Sequence, residues 1–398
     1  MVDELHEGLR REKDATERLW RTHTAAEPLL AGLAEERRRL VEHHAMDFST
    51  SELDAEVGCK TLVSIAGGGG GSGYVYIGAY QRLQEAGLVP GYVIGASIGA
   101  LLGLFCARRA AADWNDYLSL AKSLEAKQIF TPVSISRRYG FPGLLRLRLR
   151  SAIGRLFTAE DGTPLRISDL DIPYEAVVGG IRRRSFEDLA LGLFDPATES
   201  AAPGLMQRIG GRMWKVTAFF DPRIVKAVVL GADSLTAAVA ATDAAGFSAA
   251  IPGVLHYDIE DGDEAMEGLL ASLFEREEIG ALIDGGVVSN VPAELAWKRV
   301  QAGKIGTRNA LYLAFDCFHP QWDPAHLWLQ PITQALQLQM TVNAPYAHWI
   351  VRFEPTLSPL TLLPSPDVLD EAAGWGRQTV DRVLPLLHKF LEPLAWSD

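Results

Sequence analysis

Six glycines and one serine fill the seven positions Gly67–Gly73. Such a stretch cannot be the interior of a helix or strand, because glycine loses the most conformational freedom on ordering and gives a core no side chain. Its borders are nevertheless sharp. Thr61–Ala66 is a short apolar run rich in β-formers, and Tyr74–Ala86 has helical spacing, ended by Gly87 with Pro90 beyond. The same pattern then returns: Tyr92–Ala96 reads as a strand and Ile98–Arg109 as a helix, with Gly95-Ala96-Ser97-Ile98-Gly99 between them. Strand, glycine turn and helix, twice over, predict a mainly parallel sheet covered by helices. Tyr174–Gly179, Leu311–Phe315 and Ile350–Phe353 are further strand candidates. Residues 182–224 are turn-rich and read as an insertion. Ser365-Pro366 opens a C-terminal helical stretch that Pro385 is expected to kink or break.

Composition narrows the classes. With 48% hydrophobic and 22% charged residues the chain can bury a large core and is not globally disordered. Its 38 Lys and Arg against 50 Asp and Glu give a net charge of −12, which argues against a general nucleic-acid binder. Cys59, Cys106 and Cys317 show no CxxC spacing, so neither a disulfide framework nor a structural zinc site is expected. The opening MVDELHEGLRREKD has no apolar secretory core. The longest charge-free apolar stretch, Tyr92–Ala107, has 16 residues, short of the ~20 that span a bilayer. The expected location is cytoplasmic, with peripheral membrane contact left open.

Residues 1–55 form a charged helical arm and linker ahead of a domain over 56–398. In residues 1–45, 18 side chains are charged, and Leu19, Ala26, Leu33 and Leu40 recur every seven residues, with Pro28 interrupting the run. A solvated helical pair and an arm for a protein partner or self-association both fit that pattern.

Three constellations carry chemistry. Gly95–Gly99 is a GxSxG between strand and helix, the context in which a sharp turn exposes a serine at a helix N-terminus. Ser97 is the candidate nucleophile there, against the plainer reading of a helix cap. The run Gly67–Gly73 can aim several amide donors into one space. It also contains Gly68-x-Gly70-x-x-Gly73, but a dinucleotide site needs an acidic residue ending the next strand, and that strand ends in Gly95-Ala96-Ser97. No Gly-Lys-Ser/Thr follows, so a Walker loop fails too. Third, Asp284 sits at the tip of Ile283-Asp284-Gly285-Gly286, where apolar flanks would raise its pKa towards that of a working base. A plain Asp-Gly turn is the alternative.

These elements, in this order, resemble the patatin-like phospholipase family. The glycine loop corresponds to Gly68–Gly73, the GxSxG to Gly95–Gly99 and the DGG to Asp284–Gly286. Ser248–Gly253 resembles the small-residue stretch before that aspartate. The resemblance implies a three-layer α/β/α sandwich and a Ser–Asp dyad without histidine. Ser97 would be the nucleophile, Asp284 the general base, and the amides of Gly68, Gly69 and Gly70 the oxyanion hole, with no cofactor or metal. The implied activity is hydrolysis of fatty-acyl esters of lipids, in the manner of phospholipase A or lysophospholipase. One departure stands out: Ser72 occupies the place where the family usually has Arg or Lys. A catalytically weak lipid-binding or scaffold protein of the same fold is the alternative. A Ser-His-Asp esterase is a lesser one, for which Asp284 or Asp316 with His319 fits numerically.

One segment bears on membranes. Between Ala126 and Ala159 lie seven basic residues (Lys127, Arg137, Arg138, Arg146, Arg148, Arg150 and Arg155) and no Asp or Glu. Read as a helix, Leu145, Leu149, Ala152, Ile153 and Leu156 share one face flanked by arginines, the pattern of an interfacial helix. The period-2 alternation of LRLRLR fits leucines packed on the sheet instead.

Overall fold

The computed structural model describes residue 12 and residues 14–132, 139–186, 214–318 and 330–393. The chain divides into two units, one made of Met1–Lys60 with Leu391–Asp398 and the other of Thr61–Phe390.

In the first unit, helix α1 (Ala15–His43) is capped by Asp14, whose carboxylate accepts from the Thr16 and Glu17 amides. The helix continues through Pro28 rather than stopping there. Helix α2 (Thr50–Gly58) starts with a capping box between Ser49 and Glu52. A bidentate Arg37–Asp54 pair at 2.6 and 2.7 Å ties the two helices together. Leu33 and Leu40 of the seven-residue repeat are exposed.

The second unit is mixed α/β. Strands β1 (Thr61–Ala66) and β2 (Tyr92–Ala96) are each followed by a helix, α3 (Val75–Glu85) and α4 (Ile98–Arg108), with α5 (Trp114–Ser123) after them. Among the described residues seven strands make the central sheet. Its path is β10 (Trp349–Arg352), β9 (Ala310–Asp316), β1, β2, β5 (Tyr174–Arg182) and β6 (Val225–Leu230), with β8 (Ile279–Ile283) also paired to β5. All pairs from β10 to β5 are parallel, while β6 and β8 run against β5. The parallel strands read as continuous apolar runs because both of their faces are buried. Helix α7 (Ala241–Ser248) is buried at every residue. Helix α9 (Ala293–Gln301) buries Ala296 and Val300 in a core cluster with Val63, Ile65 and Tyr92.

The pairing around β5 sets up the site. One edge of β5 is taken by β6 from Ala176 to Ile181. The other edge is shared: β2 pairs with it up to Ala96 opposite Val177, and β8 pairs from Arg182 back to Ile283 opposite Gly179. Because β2 is parallel and β8 antiparallel to β5, their carboxyl ends run towards each other and stop about two residues apart. Ser97 follows one end and Asp284 the other.

Some expectations change here. Residues 145–156 do not form one helix. They split into β4 (Leu145–Leu147), helix α6 (Leu149–Ile153) and a 3-10 turn, Gly154–Phe157. β4 lies between β3 (Phe130–Pro132) and β7 (Leu255–His256) in a second small sheet, so the LRLRLR alternation is partly that of a strand. The region read as an insertion begins as the end of β5 and includes the 3-10 segment Trp214–Phe220 before β6, while 187–213 lie outside the described residues. Helix α11 (Pro366–Leu391) runs through Pro385, where the flanking Leu384 and Leu387 are buried and hold it in place.

Candidate active site

Ser97 occupies a sharp elbow. Its φ of 54° and ψ of −129° are a conformation that non-glycine residues adopt only under constraint. The constraint comes from both sides: β2 is locked between β1 and β5, and α4 begins at the next residue. Both glycines of the motif are required by space. A Cβ at Gly95 would stand 2.6 Å from the Ala100 nitrogen, and one at Gly99 2.6 Å from the Gly67 carbonyl oxygen. The turn lifts Ser97 Oγ to within 2.6 Å of Asp284 Oδ2, to which it donates.

Both side chains are nearly buried, each 6% exposed. The other carboxylate oxygen, Asp284 Oδ1, accepts from the Gly286 amide at 2.6 Å. Burial dominates and pushes the Asp284 carboxyl up to about 6, while the bonds from Ser97 and Gly286 pull it the other way. No cation is among the causes. A carboxyl with that pKa is mostly ionised at neutral pH yet basic enough to take a proton from a serine hydroxyl in a reaction.

Ser248 and Ala250 hold the pair through hydrogen bonds. Ser248 Oγ accepts the Ser97 amide at 2.9 Å and donates to the Val177 carbonyl at 2.6 Å. Ala250 O accepts the Asp284 amide at 2.9 Å. Ser248 therefore fixes the elbow to β5 through one hydroxyl. Nothing in the composition of the Ser248–Gly253 stretch marks that role, because its partners are 71 and 151 residues away.

The glycine loop needs one correction. The Gly68 N–H is already donated to the Asn290 carbonyl at 3.0 Å, so it is not a free oxyanion donor. The amides of Gly69 and Gly70 have no backbone acceptor among the described residues, and Gly70 sits at φ +55°. Gly68 has a different use: a Cβ there would lie 2.9 Å from Ser97 Cβ and 2.7 Å from Asn290 Oδ1. It lets the loop close on Ser97. Asn290, at the end of the DGGVVSN stretch, thus ties the loop to the aspartate turn, a part the sequence did not reveal.

Ser72 does not face the reaction space. It is 1% exposed, and its hydroxyl donates to the Gly69 carbonyl at 2.6 Å. Cys317 Sγ lies 3.5 Å from the same hydroxyl, and burial pushes that thiol up to about 12. Ser72 is therefore a clamp on the loop, at a place too enclosed for a long basic side chain.

Two apolar cavities open at Ser97. The first encloses about 1020 Å³, open solvent at its mouth included, and runs past Leu101, Phe105, Leu120, Leu149 and Ile153. The second, about 820 Å³, runs past Phe220, Val254, Ile332, Leu336 and Leu360 and includes Asp284. Leu147, Leu149, Ala152 and Ile153 of the 145–156 segment line the first cavity, while Leu145 packs against a core cluster. Two of the segment's arginines are engaged inside the fold: Arg150 bridges Asp243 and, at 2.7 Å, Asp263, and Arg146 donates to the Ile259 carbonyl at 3.3 Å. Arg137 and Arg138 lie outside the described residues.

Of the histidines, His319 lies outside the described residues. Neither cavity is lined by any described histidine. Asp316 accepts from the Phe318 amide at 3.3 Å, at the end of β9. No cluster of three or more metal-ligating side chains occurs among the described residues.

A mixed α/β chain with a mostly parallel sheet and a serine on a strand–helix elbow is the class that fold and site define. A patatin-like phospholipase family model matches residues 63–297, more than half of the sequence, and the chain belongs to that family. It is also 29% identical over 165 residues to an uncharacterized NTE family protein of Mycobacterium bovis and to uncharacterized NTE family proteins of two Mycobacterium tuberculosis strains. These matches cover 39% of this chain and 42% of each relative, so the chain spans less than half the length of the curated relatives it matches.

Proposed function

We propose that this protein is a serine acyl hydrolase of lipid esters in which Ser97 is the nucleophile and Asp284 the only general acid–base. The observation that carries the reading is the 2.6 Å hydrogen bond from Ser97 Oγ to a buried carboxylate, at the meeting point of two apolar cavities. Ser97 Oγ attacks the ester carbonyl carbon as its proton passes to Asp284 Oδ2, and the carbonyl electron pair moves onto oxygen. That oxyanion is met by the Gly69 and Gly70 amides and by the N-terminal end of α4. The tetrahedral species collapses by breaking the bond to the alcohol oxygen, which takes the proton from Asp284. Water then attacks the acyl-serine, gives a proton to Asp284, and the second collapse returns that proton to Ser97 Oγ and frees the fatty acid.

Labelling with a fluorophosphonate followed by peptide mapping tests the assignment. Modification at Ser97, absent in Ser97→Ala and weakened at least about a hundredfold in rate in Asp284→Asn, is the expected result. Folded protein that turns over p-nitrophenyl esters without labelling at Ser97 would refute it. A scaffold protein without activity would neither label nor turn over ester.

Access to lipid is supported by helix α10 (Gln330–Asn343). It carries no charged residue, exposes Leu338 at 71% and Val342 at 58%, and lines the second cavity with Ile332 and Leu336. An uncharged helix with leucine in water on one side and the reaction cavity on the other suits contact with a lipid surface. The pair Leu338→Glu and Val342→Glu should cut sedimentation with phosphatidylcholine vesicles several-fold, relative to turnover of p-nitrophenyl acetate. Unchanged sedimentation would move the contact elsewhere.

A further inference from the structure

The two cavities share only a narrow wall at the nucleophile, formed by Gly70, Ser97, Ile251 and Leu362. Beyond it they diverge: one runs between α4, α5 and α6, the other towards α10. An ester bound over Ser97 has two sides, acyl and alcohol, and the chemistry dictates which goes where. The proton that Asp284 takes from Ser97 must be handed to the departing alcohol oxygen, so the alcohol side has to lie on Asp284's side. Asp284 lines the second cavity and not the first. The lining of the second cavity is hydrocarbon apart from Ser97, Asp284, Asn290 and backbone groups, and no Lys, Arg or His lines it among the described residues.

On the footing of the serine hydrolase reading, we infer that the first cavity takes the acyl chain and the second takes an uncharged hydrocarbon arm of the alcohol. The substrate class is therefore an ester with hydrocarbon on both sides of the scissile bond. Burying such arms is favourable in proportion to the apolar area removed from water. Among the described residues, the one charged side chain that a phosphate placed close to the ester on the alcohol side meets in this lining is the carboxylate of Asp284, and like charges at short range in a dry site repel. The separate walls make the two preferences separable: of these two cavities, leucine at position 101 lines the first and not the second, and leucine at position 336 the second and not the first.

Ethyl decanoate and decyl acetate test this directly, since they are isomers that carry the same chain on opposite sides of the ester. Both are assayed in mixed micelles, with p-nitrophenyl acetate as the reference for each variant. Leu101→Trp should lower relative kcat/KM for ethyl decanoate by about tenfold or more and that for decyl acetate by much less; Leu336→Trp should do the reverse. The milder Leu101→Phe and Leu336→Phe give the same crossed pattern at smaller size if a tryptophan variant fails to fold. In wild type, a decanoyl ester of glycerol should be cleaved at least about tenfold faster than that of glycerol 3-phosphate. Variants that affect the two isomers equally, or with the pattern reversed, overturn the assignment of arms. Equal or faster cleavage of the phosphate-bearing ester overturns the charge assignment. Hydrolysis that survives Ser97→Ala would instead sink the underlying serine reading, whatever the arms do.

Discussion

Two buried carboxylates beside the same strand meet opposite fates. Glu175, the second residue of β5, is fully buried and is wrapped by Arg299 at 2.9 Å, Lys304 at 2.9 Å and the Tyr92 hydroxyl at 2.7 Å. Asp284, which follows the end of β8, is also buried but among the described residues has only a serine hydroxyl and one amide as partners. Arg299, Lys304 and the Tyr92 hydroxyl make Glu175 a structural tie between β2, β5 and α9. Asp284 has no cation partner among the described residues, and burial raises its carboxyl to about 6, which suits the base of the proposed mechanism. The molecule can bury a compensated charge, and at the elbow it does not.

Swapping each for its amide should split them most widely. Asp284→Asn should lower ester hydrolysis by about three orders of magnitude or more, because an amide cannot take the serine proton. It should also stabilise the protein at pH 8 by on the order of 1 kcal/mol, since it removes a buried, unpaired charge. Glu175→Gln should do the opposite, costing on the order of 3 kcal/mol in urea unfolding by leaving Arg299 and Lys304 uncompensated. The pH profile of any remaining activity should not move. Equal stability changes in the two variants would mean that Asp284 has a cation partner in solution.

The pH dependence sharpens the same contrast. With Asp284 as the proposed base, kcat/KM should rise with pH through an inflection near 6, where burial has placed its carboxyl, and level off above it. Stability moves the other way. Between the ordinary value of 3.8 and about 6 the folded chain keeps a proton on Asp284 that the unfolded chain has lost. Stability should therefore fall as pH rises across that window, and that component should vanish in Asp284→Asn. Asp243 also titrates near 6, raised by burial against the opposing charge of Arg150, so part of the fall persists in the variant. An activity inflection near 4 would show an exposed, ordinary carboxylate.

Much of this was readable from the chain because glycine punctuates it. β1, β2 and the start of α4 fall where Gly67–Gly73 and Gly95–Gly99 bracket them. β8 was not legible as a strand: its five residues, Ile-Gly-Ala-Leu-Ile, are too few and too evenly apolar to show a period of two. Its head-on approach to β2 depends on pairing with β5, which no local pattern encodes. The 145–156 segment misleads for a related reason. The acids that neutralise Arg150, Asp243 and Asp263, lie 93 and 113 residues further on, so a local excess of positive charge is an internal tie in the folded chain. Ser72 misleads likewise, since the loop's fold turns that position inwards.

The smallest expected effect concerns the elbow itself, and it compares Ser97 with Glu278, the other described non-glycine residue at positive φ. Glu278 caps helix α8 (Glu264–Glu277) in the ordinary left-handed region, at φ 51° and ψ 42°. Ser97 shares that sign of φ, but its ψ of −129° takes it outside every region that L residues populate freely. Ser97→Ala and Ser97→Gly both lack the hydroxyl and should be equally inactive, so their difference in stability isolates the backbone. Glycine relieves about 1–3 kcal/mol of strain at such a site. Its looser unfolded chain gives back about 0.5–1 kcal/mol. Ser97→Gly should therefore be the more stable by about 1 kcal/mol in chemical unfolding, with a smaller gain for Glu278→Gly over Glu278→Ala. If the alanine variant at position 97 is as stable as the glycine one, the elbow carries no strain, and the locking of β2 and α4 around it is looser than the pairing and the glycine contacts require.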